Sequence, residues 1–304
     1  MRFLLLVLAL ALCYSFRPPC PTNPQPLRKL VKGCQVIIEG LVLKTAPLDP
    51  EKDSEAAKHW SHKVGIQVIT VLQGKAATDT IEVFYSPDMV CPIPDRYIAQ
   101  TRVIAFLDRA PKTNGFYTHA LSYGVKAVEQ PGLEVYKQRI REMQVILQQG
   151  NEMAQKEQTI NWLVKCAQEP STRLEGTYEL TPGTYFQSTP GDGTDDIKVY
   201  NLNKEQKASL FQVLIKTDIL TYSELGLIDL VWNYDNDQLV KLMTRQIRQK
   251  NSEWFAGDLM KRINAILADP RLDKIIEEYE SARLEDKNPE KKQRKILKDF
   301  IALL

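Results

Sequence analysis

Three histidines, His59, His62 and His119, are the only imidazoles in the 304-residue chain, so general-base and metal chemistry has few starting points. In His59-Trp60-Ser61-His62 two of them stand three residues apart, a spacing that on a helix offers two metal ligands on one face. No motif fixes a third ligand, and the stretch falls inside the polar run APLDPEKDSEAAKHWSH, so solvated loop histidines are the better reading. His119 sits in FYTHA, which reads as strand rather than as the surroundings of a catalytic base. No G-x-S-x-G, H-E-x-x-H or phosphate-loop motif occurs. The acids of GDGTDD, Gly191 to Asp196, lack the spacing and closing glutamate of an EF-hand and read as a polar turn. These residues point away from an enzyme, and no cofactor or metal site is expected.

The cysteines speak of compartment. Met1-Arg2 is followed by the apolar run Phe3 to Cys13, shorter than the roughly 20 residues a membrane-spanning helix needs. A basic residue, a short apolar stretch and small residues have the layout of a secretory signal. Ala11 with Cys13, or Cys13 with Ser15, fits the cleavage positions, and residues 1–15 are expected to be the signal peptide. A lipid anchor on Cys13 is the weaker alternative, because Leu12 stands where a small residue is preferred. No later apolar run approaches membrane length, so no integral span is expected. Localisation is then exported: extracellular, periplasmic or cell-surface. Cys20, Cys34, Cys91 and Cys166 remain in the mature chain, where thiols can pair. Three connectivities are open to four cysteines, and no C-x-x-C pair suggests redox chemistry.

The elements that would position these residues fall into two kinds. QVIIEGLVLK, VGIQVITVLQG, DTIEVFYS, TRVIAFLD and YGVKAVE, between residues 35 and 128, are β-branched and aromatic runs bounded by turn formers. They predict a small antiparallel barrel or sandwich. Beyond Gly132 the period changes. Leu133, Tyr136, Ile140, Met143 and Leu147 recur at helical spacing, and a second helix is expected across QKEQTINWLVKCAQ, before Pro170. TPGTYFQSTPGDGTDD, residues 181–196, reads as loop. From Asn203 onward short helices follow one another, as in stacked helical hairpins. Trp254 and Phe255 precede Leu259, Ile263 and Ile266 at helical spacing and read as core, whereas Trp232 and Tyr234 fit a core or a groove equally well.

The run CPTNP…LRKLVKGCQVIIEGLVLK, the hairpin signal V-x-x-V-L-x-G-K, the cysteine after FYS and the late strand VIAFL together resemble the N-terminal OB-fold module of the tissue inhibitors of metalloproteinases and the related netrin-like domains. The resemblance covers residues 20–128. It implies an OB-like barrel and, residue by residue, a disulfide between Cys20 and Cys91, which by chain-entropy reasoning contributes on the order of 4 kcal/mol. In that family the mature chain begins at the cysteine, whose α-amino group and carbonyl chelate the protease zinc. Here Phe16-Arg17-Pro18-Pro19 precedes Cys20, and Pro21-Thr22 stands where the family has C-x-C. Both departures turn Cys20 from a zinc-binding residue into a structural staple.

The expected fold class is α+β and multidomain, an N-terminal OB-like antiparallel β-barrel followed by an all-α region of stacked helical hairpins. The expected domains are the barrel over 20–130, a helical linker with its loop over 131–196, and an all-helical domain over 197–304. Forty basic against thirty-eight acidic residues leave a formal charge of +2, too small a field to draw in nucleic acid. The expected function is a non-enzymatic secreted or envelope protein acting as a protein-interaction module. The alternative is a protease inhibitor or regulator acting through the OB-like domain.

Overall fold

The computed structural model describes residues 25–89, 94–181, 201–249, 255–285 and 289–304. The signal segment with Cys13, the pair Cys20 and Cys91, the GDGTDD loop and Trp254 lie outside the described residues. The chain divides into two units, with the boundary between Trp162 and Leu163.

The first described element of the first unit is helix α1 (Leu27–Gly33), whose Leu27, Leu30 and Val31 are buried at helical spacing. Its last residue lies flush with an imidazole: a Cβ on Gly33 would stand 2.8 Å from His119 Nε2. Among the described residues six strands follow, β1 (Val36–Pro47), β2 (His62–Gln73), β3 (Thr80–Tyr85), β4 (Arg102–Arg109), β5 (Phe116–Thr118) and β6 (Val125–Lys126). β1 pairs with β2, β2 with β3, β3 with β5, β5 with β4, and β4 returns to β1, closing a five-stranded OB-like barrel. One seam, β3 with β5, is parallel. YGVKAVE, which reads as a full strand, contributes only the two residues of β6, paired with β4. A 3-10 turn over Leu121–Gly124 occupies the rest of its start, and Gly124 is pressed so closely on the His119 carbonyl that no side chain fits there.

The barrel interior is filled by inward residues of alternating strands, among them Ile38, Val64, Ile66, Val83, Val103 and Leu107. Closure requires β1 to bend, and its register slips between Glu39 and Gly40, as bulges allow. A Cβ on Gly40 would meet Ile66 Cγ2 at 2.4 Å and Gln67 O at 2.9 Å, so the bend depends on glycine. Beside it, Glu39 is 1% exposed and accepts from Lys137 Nζ at 3.0 Å and from Arg102 Nη2. Lys137 belongs to helix α2 (Gln130–Leu147), which buries Leu133, Tyr136, Ile140 and Met143 and packs on β2 and β4. The stripe legible in the sequence is thus the face that covers the barrel. Helix α3 (Glu152–Gln168) continues from it, and Trp162 Nε1–H donates to Arg139 O at 2.9 Å.

The second unit takes the end of α3 from Leu163 and seven further helices among the described residues: α4 (Arg173–Leu180), α5 (Lys204–Ile215), α6 (Tyr222–Leu230), α7 (Asn236–Ile247), α8 (Ala256–Leu267), α9 (Pro270–Glu285) and α10 (Pro289–Leu303). Neighbours in sequence pack on one another, α5 on α6, α7 on α8, α8 on α9 and α9 on α10, which makes stacked helical hairpins. α5 and α6 start in capping boxes, Asn203 with Gln206 and Thr221 with Glu224. α4 approaches α3 so tightly that a Cβ on Gly176 would lie 2.4 Å from both Ala167 N and Leu163 O. Arg173 joins three segments: it donates to Ala167 O at 3.1 Å, to Gln168 O at 3.2 Å and to the buried Glu224 carboxylate. Burial raises the Glu224 pKa, but the Thr221 and Arg173 hydrogen bonds outweigh it and hold the carboxyl below its ordinary range. Phe255, Leu259 and Ile263 are buried, as their spacing predicts, and the Tyr234 ring lies 5.0 Å from that of Phe211.

Candidate functional site

The outward face of β3 is the floor of an open groove of about 670 Å³. Strand alternation turns Ile81 and Val83 into the barrel and leaves Thr80 and Glu82 exposed. One wall is the β1–β2 insertion, Lys52 to Ala56; the other is the β4–β5 turn, Lys112 to Gly115, with Arg109 and Phe116 at its two ends. The volume is that of a small-ligand or short-peptide site. Its place, between the first and fourth connections of an OB-like barrel, is where that fold receives extended ligands.

The insertion is long and polar, yet three sets of contacts hold it in place. Asp49 and Asp53 close a turn on each other, Asp53 N–H donating to Asp49 O at 2.7 Å and Asp49 N–H to Asp53 Oδ2 at 3.1 Å. Trp60 is stacked between Phe84 and Tyr117, with centroids 5.6 Å away on each side and interplanar angles of 25° and 27°. Lys63 of β2 donates to Asp53 at 2.9 Å and lies 3.3 Å from Glu82. The Lys63 hydrogen bond holds the Asp53 carboxyl below its ordinary pKa, and the same bond raises the Lys63 ammonium. Across the groove the β4–β5 turn closes through Ala110 N–H donating to Gly115 O at 3.0 Å. Lys112 adopts φ 59°, and a Cβ on Gly115 would strike the Phe84 ring at 2.5 Å. Arg109 lies 5.4 Å over the Phe116 ring and donates to Lys75 O at 3.3 Å.

The charges around this groove are unevenly matched. Asp53 and Glu82 share Lys63, and Glu55 has Lys58 at 2.5 Å. Lys52 pairs with Asp49 at 3.6 Å. Arg109 and Lys112 have no carboxylate partner among the described residues.

The histidines are placed apart from this groove's lining. His59 lies edge-on to Trp60 at 5.4 Å, and His62 Nδ1 is 2.9 Å from Ser61 Oγ with its ring against Tyr85. Among the described residues no group of three His, Cys, Asp or Glu side chains converges as a metal site. His119 follows β5, and its Nδ1 is 2.7 Å from Asp108 Oδ2, whose other oxygen accepts from Gln35 N–H at 3.0 Å. Burial, and then the charge of Asp108, pushes the nearby Cys34 thiol up to about 12. A histidine, an aspartate and a cysteine thus share one region of the barrel, but the thiol is buried and kept protonated, the opposite of an activated nucleophile. Cys34 and Cys166 are both buried thiols, as their apolar surroundings in the sequence predict. A second polar group, Tyr97 OH 2.7 Å from Thr118 Oγ1, which donates to Asp95 Oδ2, is buried at the end of β5. Burial raises the Asp95 carboxyl above its ordinary range, against the Thr118 hydrogen bond.

The groove residues Arg109, Lys112, Glu82, Phe84 and their supports Trp60 and Lys63 were not legible as a set. The available signals were a tryptophan inside an otherwise polar insertion and the Asn114-Gly115 turn pair between two strand runs. In comparisons with known proteins, no family model and no curated protein matches the chain. Among the described residues no helix is long and apolar enough to cross a membrane.

Proposed function

We propose that this chain is an exported, non-enzymatic interaction protein that binds a protein partner in the groove between the β1–β2 insertion and the β4–β5 turn. The observation that carries the reading is that groove: a floor of exposed β3 residues between two walls held by their own internal contacts. Polar and aromatic groups line it together, Glu82 and Thr80 beside Phe84 and Phe116, which is the composition of a recognition surface. The export signal read from Phe3 to Cys13 supports a setting outside the cytoplasm. The OB-like strand order supports a binding role.

The test is a selection of a random heptapeptide library on the full mature chain and on an Asn114→Trp variant, whose indole fills the groove from an exposed position of its rim. Peptides enriched on the parent and lost on the variant support the reading. Peptides that bind both alike, or no enrichment above an unrelated OB-fold protein, refute it.

A further inference from the structure

We infer that the groove takes an extended acidic segment of a partner protein, laid as an added strand beside β3 with its carboxylates on Arg109 and Lys112. This deepens the reading above and rests on it.

The first observation is the strand edge. β3 pairs with β2 along its whole length, but with β5 only at Val83 and Phe84. On that side the start of β5 already covers Glu82, whose carbonyl would lie 3.1 Å from a Cβ on Gly115, so the edge without a strand partner among the described residues is Thr80 and Ile81. Antiparallel ladders turn alternate residues' main-chain groups to opposite sides. Val68 N–H donates to Asp79 O at 2.8 Å, which directs residue 79 toward β2 and therefore the main-chain N–H and C=O of Thr80 away from β2, to the open end of the edge. An extended peptide supplies the carbonyl groups that such an edge lacks; a glycan does not.

The second observation is charge. Every carboxylate lining the groove already has an ammonium group within 3.3 Å, whereas Arg109 and Lys112, both exposed, have no carboxylate at ion-pair distance among the described residues. Lys112 is close enough to Glu55 to lower its pKa, after the larger effect of Lys58, so it sits at the mouth rather than out in solvent. An incoming carboxylate meets two uncompensated cations on the wall formed by the β4–β5 turn. A polyanion such as a nucleic acid or sulfated glycan carries charge along its whole length, whereas the floor and the opposite wall offer only cations already paired with Asp53, Glu55 and Glu82. A strand carrying an acid at every second position places its charges on one side only. The geometry therefore favours a peptide over a polyphosphate or polysulfate.

Fluorescence anisotropy on the full mature chain tests this with four probes: a labelled heptapeptide alternating valine and glutamate, its lysine counterpart, the glutamate peptide N-methylated at alternate amides, and a heparin octasaccharide. The glutamate peptide is expected to bind, with affinity falling as salt is raised. An Arg109→Gln, Lys112→Gln double variant, in which only exposed side chains change, is expected to weaken it about tenfold. N-methylation is expected to weaken it comparably by removing the main-chain bonds. Equal binding of the lysine peptide, or an unchanged double variant, overturns the acidic assignment while leaving the groove reading intact. Indifference to N-methylation overturns the added-strand mode. Binding of the octasaccharide in preference to the peptide overturns both parts. If no probe binds and the Asn114→Trp variant selects the same library peptides as its parent, the groove reading falls as well.

Discussion

Glu39 offers a test of what holds the barrel closed, because its two cations differ in how far they reach water. The Glu39 side chain is 1% exposed, that of Lys137 12% and that of Arg102 38%. Lys137 also pairs with Glu134 at 2.6 Å and Arg102 donates to Gln130 Oε1 at 2.7 Å, so both cations have somewhere to go if the carboxylate is lost. The carboxylate has no such route. Lys137→Met alone leaves Arg102 in place and is expected to cost about 1–2 kcal/mol; adding Arg102→Met strands a buried charge and raises the cost to about 3–5 kcal/mol. Adding Glu39→Leu to that pair removes the stranded charge and is expected to restore most of the loss, since an apolar replacement of a buried ionic cluster is often neutral. The loss in the double variant corresponds to a fall in Tm of roughly 10–15 °C. Two units in one chain need not unfold together, so native-state hydrogen exchange of peptides from β1 and β4 is the better assay. A triple variant no more stable than the double, or a double variant within about 1 kcal/mol of the parent, refutes the reasoning.

Gly40→Ala is expected to cost about 2–3 kcal/mol or more, because the added methyl meets backbone at Gln67 O, which cannot rotate away; urea unfolding of the barrel checks it. Asp95 has its pKa raised by burial, so the folded state binds its proton more tightly than the unfolded chain does. Its contribution is present below the unfolded value and is lost as pH rises through the folded one. Asp95→Asn, which keeps an acceptor for Thr118, is therefore expected to raise Tm at neutral pH relative to the parent and to leave it nearly unchanged in acid; the reverse order refutes the assignment. Cys34, buried and with its thiol pushed up to about 12, is expected to resist maleimide at pH 8 in the native state and to label readily in guanidinium chloride, as peptide mapping by mass spectrometry reads directly.

The fold was legible where pattern and burial coincide. Val64, Ile66, Ile81 and Val83 alternate in the sequence and lie inside the barrel, and Leu133, Tyr136, Ile140 and Met143 keep helical spacing and face it. β5 was legible in the strand-like FYTHA, but three residues, Phe116 to Thr118, are too few to show a period or to foretell that they close the barrel through two neighbours. Glu39 and Gly40 were visible as a motif, but not their reason: the glycine permits the bend and the acid ties β1 to β4 and α2, a relation set by partners 63 and 98 residues away. The candidate groove was illegible for the same cause. Its floor, walls and compensating charges come from the β1–β2 insertion, β2, β3 and the β4–β5 turn, and only the closed barrel brings Arg109 and Lys112 opposite the insertion that carries Glu55.

The two walls of the groove are fixed by different means, and the difference bears on how it can bind. The insertion wall is held by a stacked tryptophan, a lysine shared by two acids and an aspartate turn. The opposite wall owes its position to a short turn with Lys112 at positive φ and to a glycine seated against Phe84. Neither wall has to be ordered by a ligand, so association is spared much of the entropy that loop closure demands. The surface ion pairs within them contribute little to stability one by one. Their effect is on the field: they cancel the acids of the floor and leave the two cations of the turn uncompensated. A residue such as Lys63 therefore acts on recognition without touching the ligand, by deciding which charges an arriving segment meets.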